Sequence, residues 1–368
     1  MIEHLNKTLN DFYLPYFILA SFFFYFLYLL INKIWSSNHI LISKTLRYHG
    51  KQRVHDGEIP RLGGIIIYVF LVIFSIILSH LELAKNLQII LLCLAPMMLS
   101  TIIEDLMHNV DYKVRFISLA LSAAALIMYA INSLPVVDHI IVISDLFHYP
   151  VFSFAFFTLC LITLANGCNF IDGMNGLLGF YLLGALMSCM HLSFIEQDTL
   201  IAMPIVLYGL MIVFFLLVNY PWGKLFMGDS GAYLLALLIG VWVINFFGTY
   251  EFISSWNAAL IFFYPIAEVI YSVIRKLLQK KSPFLPDREH LHLKVFDILN
   301  QSMKKPRLAN NLTTVFLAIF WLAPPLILPW VYDSQPMIAL SIVLLSLIYL
   351  ILNNVVPPKS KYGNGKVD

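Results

Sequence analysis

Long apolar runs without charged residues are the feature that most constrains the fold of this chain. The first, from Phe12 to Ile31, is about 20 residues long, the length that a helix needs to cross roughly 30 Å of hydrocarbon. Only 12% of the residues are charged, whereas a soluble domain carries about 25%. The runs therefore predict an all-α, polytopic membrane protein.

About eleven such runs follow one another along the chain. They lie at 12–32, 63–82, 87–103, 116–133, 151–166, 177–195, 200–218, 231–249, 257–274, 311–331 and 337–354. With the N-terminus outside, the cytoplasmic segments hold all but Lys7 and Lys85 of the 23 Lys and Arg residues. The positive-inside rule thus predicts that the N-terminus is outside and the C-terminus is cytoplasmic.

No polar insertion is long enough to form a soluble domain. We expect one transmembrane domain over residues 1–356, a first span that is not a cleaved signal, and a short, disordered cytoplasmic tail at 357–368. The four cysteines show no paired or metal-type spacing, so we expect them to act as small apolar residues. We expect no nucleic-acid partner.

Five polar segments interrupt the apolar sequence, and all fall on the predicted cytoplasmic side. They are Pro60–Gly64, Glu104–Asp105 with Lys113 and Arg115, Asn166–Gly176, Asn219–Gly231 and Pro283–His292. Carboxylates at the edge of a membrane are costly unless they have partners, so such groups indicate a functional site. Because the orientation rests on cations alone, this co-location is a separate indication of one cytoplasmic cleft.

The residue types in this cleft suit a diphosphate substrate. Several carboxylates close together repel one another unless a cation lies among them, and oxygen ligands favour Mg²⁺, or Mn²⁺ in its place. The carboxylates are those of Glu104, Asp105, Asp172 and Asp229. The groups that can meet phosphate charge are Lys224, Arg288, His290 and His292.

Each of these features also has a structural interpretation. Glu104–Asp105 can cap the end of a span, and Gly63–Gly64 can be a helix-packing contact. The segment 288–292 can be a solvated loop. Glu268 lies in an apolar run seven residues before Arg275, so a structural ion pair is an alternative to catalysis.

The motifs, taken together and in order, resemble those of the polyprenyl-phosphate N-acetylhexosamine-1-phosphate transferases. That family includes the WecA-type enzymes and, more distantly, the MraY translocase. The matching segments are Pro60-Arg-Leu-Gly-Gly64, Glu104-Asp105, Asn166-x-x-Asn169-x-x-Asp172-Gly-Met-Asn175-Gly176, Phe226-Met-Gly-Asp229-Ser-Gly231 and Asp287-Arg-x-His290-Leu-His292.

This resemblance implies an eleven-span fold and a multi-pass enzyme of the bacterial inner membrane whose active site faces the cytoplasm. It implies transfer of N-acetylhexosamine 1-phosphate from a UDP-sugar to undecaprenyl phosphate, with Mg²⁺ as cofactor. The product would start a lipid-linked surface glycan such as O antigen, in lipopolysaccharide or cell-wall biogenesis. A homodimer is compatible with such a fold.

The resemblance also assigns roles to residues of this chain. Asp229, Asp105 and Asp172 match metal-binding positions, and Asp105, Asp172 and Glu104 match catalytic ones. The substrate-binding positions are matched by Asn169, Asn175, Asn219, Lys224, Lys113, Arg288, His290 and His292.

Five residues depart from the usual motifs: Glu104, Asn175, Ala232, Glu268 and Leu293. Asn175 stands where many members have a second aspartate, which leaves the number of metal ligands open and can mark a branch that handles a modified amino sugar. Leu293 replaces a histidine, which argues against the MraY branch with its peptide-bearing donor. The departures also raise an inactive paralogue as an alternative.

The acceptor is a phosphate monoester, whose second pKa of about 6 leaves it largely ionised at neutral pH. A general base is then unnecessary, and the sequence favours single displacement with charge neutralisation by metal, Arg and Lys. The competing scheme makes Asp172 or Asp105 a covalent nucleophile. The alternative from another class is a transporter for an anionic or phosphorylated solute.

Overall fold

The computed structural model describes residues 59–79, 82–137, 144–196, 199–283 and 288–356. The first predicted span at 12–32, the tail at 357–368 and Asp287 lie outside the described residues. Within them, all the long elements are helices. These are α1 (Gly63–Ile77), α2 (Glu82–Met107), α3 (Tyr112–Tyr129), α4 (Pro150–Ile171), α5 (Leu177–Ile195), α6 (Thr199–Asn219), α7 (Gly228–Thr249), α8 (Trp256–Ile261), α9 (Phe263–Leu278), α10 (Leu291–Met303), α11 (Pro306–Phe316), α12 (Ala318–Val331) and α13 (Gln335–Val355), with short 3₁₀ turns at Ile131–Ser133 and Ser144–His148.

The described helices confirm an all-α protein of the polytopic membrane class. Eight segments are long and apolar enough to cross a membrane: α2 to α7, α11 with α12, and α13. Each of them coincides with one of the predicted spans. The predicted span at 63–82 is the shorter apolar helix α1, and the total number of spans and the orientation of the termini stay predictions.

The predicted span at 257–274 is divided at Phe262 into α8 and α9. Pro265 has no N–H, so it cannot bond to the carbonyl of Ile261, four residues earlier. That carbonyl accepts a hydrogen bond from the Tyr181 hydroxyl at 2.7 Å. The Tyr181 hydroxyl of α5 thus donates the hydrogen bond to Ile261 that the proline cannot donate.

Helix α7 lies at the centre of the bundle and packs against α4, α1 and α2. Its most apolar stretch is 83% buried, whereas that of α13 is 28% buried. A helix that is apolar all round can face protein or lipid, and α7 faces protein. Its first turn therefore lies among the ends of several other helices.

Helix α1 is fixed to the start of α7 by backbone contacts. The N–H groups of Gly63 and Gly64 donate to the carbonyls of Phe226 and Met227 at 3.0 and 2.9 Å. A Cβ at Gly64 would overlap the backbone nitrogen of Gly231 and lie 2.6 Å from the carbonyl carbon of Ser230. This close approach agrees with the packing interpretation of the two glycines.

The polar segment between α9 and α11 contains a helix that its composition did not indicate. Helix α10 begins directly after His290 and buries Leu291, Leu293 and Phe296. It packs against α11. The alternative of a solvated loop at 288–292 is therefore wrong for its end, because His290 and His292 are buried with α10.

Candidate functional site

Two arginines hold the carboxylate of Asp229, the second residue of α7. Arg61 Nη2 lies 2.6 Å from Asp229 Oδ1, and Arg115 Nη1 lies 2.5 Å from Oδ2. The aspartate side chain is only 8% exposed, while those of the arginines are 24% and 26% exposed. The negative charge of Asp229 is thus balanced by two cations that reach the surface.

Asp105 caps the same helix from α2. Its Oδ1 accepts the backbone N–H of Asp229 at 3.0 Å, and its Oδ2 accepts that of Ser230 at 2.9 Å. These N–H groups have no partner within a helix, so the carboxylate satisfies them. Gly228 makes room for it: its φ is 77°, and a Cβ there would lie 2.6 Å from Asp105 Oδ2.

Asp172 joins this group directly after the end of α4. Enclosure in the protein raises the pKa of its carboxyl well above the ordinary value. The charge of Arg61 lowers this pKa, and the negative charges of Asp229 and Asp105 raise it further. A backbone hydrogen bond from Gly228 also lowers it. The predicted convergence of the three aspartates is therefore found at the first turn of α7.

Glu104 organises the turn between α2 and α3. Its Oε2 accepts the N–H of Val110 at 2.9 Å, and its Oε1 lies 3.7 Å from Arg115 Nη1. This arrangement supports the capping interpretation of Glu104. The side chain also lies beside the arginine that holds Asp229, so the capping role does not remove Glu104 from the site.

Arg61 and Arg115 are the functional candidates that the sequence reasoning missed. Both lie in polar segments predicted to line the cleft, but the motif pattern assigns neither of them a catalytic, substrate-binding or metal-binding role. The sequence does carry a signal: both arginines lie in polar segments that are predicted to share one side of the membrane with the acidic residues. Lys113 and Lys224, which are predicted to bind substrate, have exposed side chains at the start of α3 and just before α7.

Asn175 links the loop after α4 to helix α11. Its N–H donates to Asn310 Oδ1 at 2.8 Å, its Nδ2 donates to Asn311 Oδ1 at 3.0 Å, and its carbonyl accepts from the Thr314 hydroxyl at 2.6 Å. The residue is 1% exposed. The geometry gives Asn175 a structural role, and the predicted contact with substrate stays a prediction.

Asn219 and Asn169 make further polar contacts around this loop. Asn219 Oδ1 accepts the N–H of Gly176 at 2.5 Å, while its Nδ2 donates to the carbonyl of Leu225 at 2.8 Å. Asn169 Nδ2 makes a longer contact of 3.4 Å with the Tyr233 hydroxyl. Asn219 thus joins the two polar segments that the sequence predicts to meet.

Replacing Asn175 with aspartate is expected to lower the free energy of unfolding by about 1–3 kcal/mol. The substitution removes the donor to Asn311 Oδ1 and sets a carboxylate against that oxygen. A thermal melt in detergent measures the effect. The matched control is Asn132→Asp at an exposed position, and equal melting temperatures for the two variants would contradict the role of Asn175.

The histidines lie at the start of α10, against the loop after α4. His290 Nδ1 is 3.0 Å from Glu268 Oε2, and the rings of His290 and His292 are parallel with centroids 5.8 Å apart. A Cβ at Gly173 would lie 2.6 Å from His292 Nε2, so His292 contacts the residue next to Asp172. Burial lowers the pKa of His292 to about 3, which keeps the ring neutral.

The charged residues near the histidines pair differently from the sequence expectation. Glu268 holds His290 rather than serving only as a helical-face partner of Arg275, and Arg275 Nη1 lies 3.0 Å from Glu289 Oε2. Arg288 Nη2 lies 3.1 Å from Asp297 Oδ1 in α10. Glu268 and His290 are 22 positions apart, so the seven-residue helical spacing could not indicate this pair.

The aspartate cluster has the oxygen chemistry that Mg²⁺ prefers. In the part of the chain that the structure describes, however, no group of three or more His, Cys, Asp or Glu side chains is arranged to hold a metal ion. Both oxygens of Asp229 contact guanidinium groups. A cation bound there would lie beside Arg61 and Arg115, and substrate phosphate would have to offset their repulsion.

Comparison with known proteins agrees with the family resemblance of the motifs. Residues 87–247 match the model of the family described as Glycosyl transferase family 4. An undecaprenyl-phosphate alpha-N-acetylglucosaminyl 1-phosphate transferase of Thermotoga maritima is 28% identical over 66% of this chain and 69% of its own length.

Two other relatives have similar names. A probable undecaprenyl-phosphate N-acetylglucosaminyl 1-phosphate transferase of Bacillus subtilis is 25% identical over 66% of each chain. A decaprenyl-phosphate N-acetylglucosaminephosphotransferase of Mycobacterium leprae is 29% identical over 38% of this chain and 41% of its own length. The resemblance drawn from the motifs is confirmed as a similarity: residues 87–247 match the glycosyl transferase family 4 model, and the chain is similar to proteins named as undecaprenyl- and decaprenyl-phosphate N-acetylglucosamine 1-phosphate transferases.

Proposed function

We propose that the protein transfers N-acetylhexosamine 1-phosphate from a UDP-sugar to undecaprenyl phosphate and releases UMP. The observation that carries the proposal is the meeting of Asp105, Asp172, Asp229, Arg61 and Arg115 at the first turn of α7. Such a cluster of mixed charge at the ends of apolar helices suits an acceptor with a phosphate head and a hydrocarbon tail. Because the relatives are named for N-acetylglucosamine, UDP-GlcNAc is the first donor to test.

In the proposed reaction, an oxygen of the acceptor phosphate attacks the β-phosphorus of the UDP-sugar. The bond from that phosphorus to the bridging oxygen breaks, and the oxygen leaves with UMP. The residues must therefore align two phosphate groups and neutralise their charge. Arg61 and Arg115 supply guanidinium groups suited to phosphate. Mg²⁺, or Mn²⁺, held by Asp229 with Asp172 and Asp105, would supply further positive charge.

The geometry favours single displacement over a covalent intermediate on Asp105. Both oxygens of Asp105 accept backbone N–H groups, and its side chain is fully buried. A carboxylate held in this way is poorly placed to attack phosphorus. Trapping a phosphorylated enzyme with donor alone would contradict single displacement.

We further propose that the protein lies in the bacterial inner membrane with this site facing the cytoplasm, where its product starts a lipid-linked glycan such as O antigen. The distribution of Lys and Arg along the sequence supports this orientation. The number of subunits is not fixed by this proposal, and a homodimer stays compatible with it.

The test is UMP release by the purified protein in detergent, with undecaprenyl phosphate, Mg²⁺ and a panel of UDP-N-acetylhexosamines. We expect release that requires both the lipid and the metal, stops on addition of EDTA and resumes with excess Mg²⁺ or Mn²⁺. The donor that gives the fastest release identifies the transferred sugar. Absence of release with every donor, from protein with a cooperative melt, would contradict the proposed function.

A further inference from the structure

Glu268 is a buried carboxylate to which the proposed reaction assigns no role. It lies in α9 and is 1% exposed. Both of its oxygens are used: Oε2 lies 3.0 Å from His290 Nδ1, and Oε1 accepts the backbone N–H of Leu291 at 3.2 Å. Burying a charged carboxylate to this extent costs free energy unless the group is paired and hydrogen-bonded.

The two contacts fix the start of α10. His290 is the N-cap residue of that helix, and its side chain makes no capping hydrogen bond. Glu268 supplies the cap from another helix by accepting the N–H of Leu291, the first helical residue. The same carboxylate holds the ring of His290, which also packs on Phe170 with centroids 4.8 Å apart.

His292 depends on this arrangement for its position. Its Nδ1 is buried and makes no hydrogen bond. Its ring is placed by the parallel ring of His290 and by contact with Gly173, next to Asp172. Movement of the start of α10 would therefore move both histidines relative to the aspartate cluster.

We infer that Glu268 is a positioning residue: it fixes the tautomer of His290 and holds His290 and His292 beside the Asp172 loop. The inference rests on the proposed function and adds to it that His290 and His292, which the motifs place among the substrate-binding residues, contact the donor. Because Glu268 accepts from His290 Nδ1–H, the Nε2 atom of a neutral His290 is left as an acceptor.

Replacing Glu268 with glutamine tests this role with little change of shape. The N–H of Leu291 can only donate, so the single amide oxygen of glutamine must face it. The amide NH₂ then faces His290 Nδ1, which must become an acceptor, and the proton of the ring moves to Nε2. A residue that only filled space would leave the tautomer unchanged.

The first measurement is the ¹⁵N spectrum of the histidine rings in wild-type protein and in Glu268→Gln. We expect protonated Nδ1 in wild-type His290 and protonated Nε2 in the variant. The matched control is Glu289→Gln, which removes a carboxylate next to His290 that pairs with Arg275 instead. The same His290 tautomer in wild type and Glu268→Gln, or a switch in the control as well, would overturn the inference.

The second measurement is UMP release as a function of donor and acceptor concentration. We expect kcat/KM for the donor to fall by about 10- to 100-fold in Glu268→Gln, the scale found when a metal-binding histidine loses the group that orients it, with the KM for the acceptor unchanged. An equal loss for both substrates would contradict positioning of a donor site. If wild-type protein released no UMP, the proposed function would fail, and the ring spectra would still decide whether Glu268 orients His290.

Discussion

Replacing Asp229 with asparagine is expected to lower the rate of UMP release by about 100- to 1000-fold, the scale of losing a main electrostatic contact in an active site. Asparagine keeps the size of the side chain but removes its charge. Arg61 and Arg115 would then lose the carboxylate that holds them 2.6 and 2.5 Å away, and the proposed metal would lose its central ligand. The measurement is kcat/KM for the donor at saturating acceptor and Mg²⁺.

The control for this variant is Asp111→Asn, which makes the same change of charge at the exposed cap of α3. Asparagine is as good an N-cap as aspartate, so this variant should keep its activity and its stability. Both proteins are compared by thermal melting, which separates a catalytic loss from a folding loss. If Asp229→Asn kept a tenth of the activity with unchanged dependence on Mg²⁺, Asp229 would not be the metal-binding residue.

Replacing Gly64 with alanine is expected to prevent native folding. Extra atoms in a packed core usually cost about 1–3 kcal/mol because side chains can move aside. Here the new Cβ would overlap the backbone of Gly231, and backbone in the first turn of α7 cannot move without displacing Asp229. The measurements are the yield of monodisperse protein on size exclusion in detergent and its melting temperature.

Gly209→Ala is the matched control, since it places the same methyl group in the interior of α6. The nearest atom to a Cβ at Gly209 is Leu186 Cδ1 at 3.8 Å, an ordinary van der Waals distance. Alanine also favours a helix over glycine by about 1 kcal/mol. We expect wild-type yield from this variant, and a Gly64→Ala protein that behaved in the same way would contradict the close contact between α1 and α7.

Sequence patterns were sufficient to predict the eight long apolar segments of the described residues, because each is a long apolar run bounded by polar residues. They also predicted that Asp105, Asp172 and Asp229 meet, because the topology placed their segments on one side. They could not predict which groups pair within that cluster. Arg61 and Asp229 are 168 positions apart, and no local periodicity connects them.

Two further differences have the same origin in tertiary contacts. Helical spacing suggests Arg275 as the partner of Glu268, whereas the structure pairs Glu268 with His290, 22 positions away. Helix α10 lies in a polar segment, and its polar residues are buried as well: Lys294 bonds to Asn353 of α13, and Asp297 pairs with Arg288. Asn175 was singled out as a departure from the motif, and its partners Asn310 and Asn311 lie in a helix that belongs to no motif.

The burial of α7 has a consequence for how the bilayer acts on this protein. A change in hydrocarbon thickness acts on helices that touch lipid, which respond by tilting or by moving their end residues. Among the eight long apolar segments of the described residues, α13 is the least enclosed by protein, while α7 is surrounded by protein along most of its length. A change in hydrocarbon thickness therefore acts least on α7 and on Asp229 in its first turn. It acts more on α2 and α3, which carry Asp105 and Arg115 and whose apolar stretches are 39% and 33% buried, so membranes of different thickness are expected to alter the contacts of these residues with Asp229.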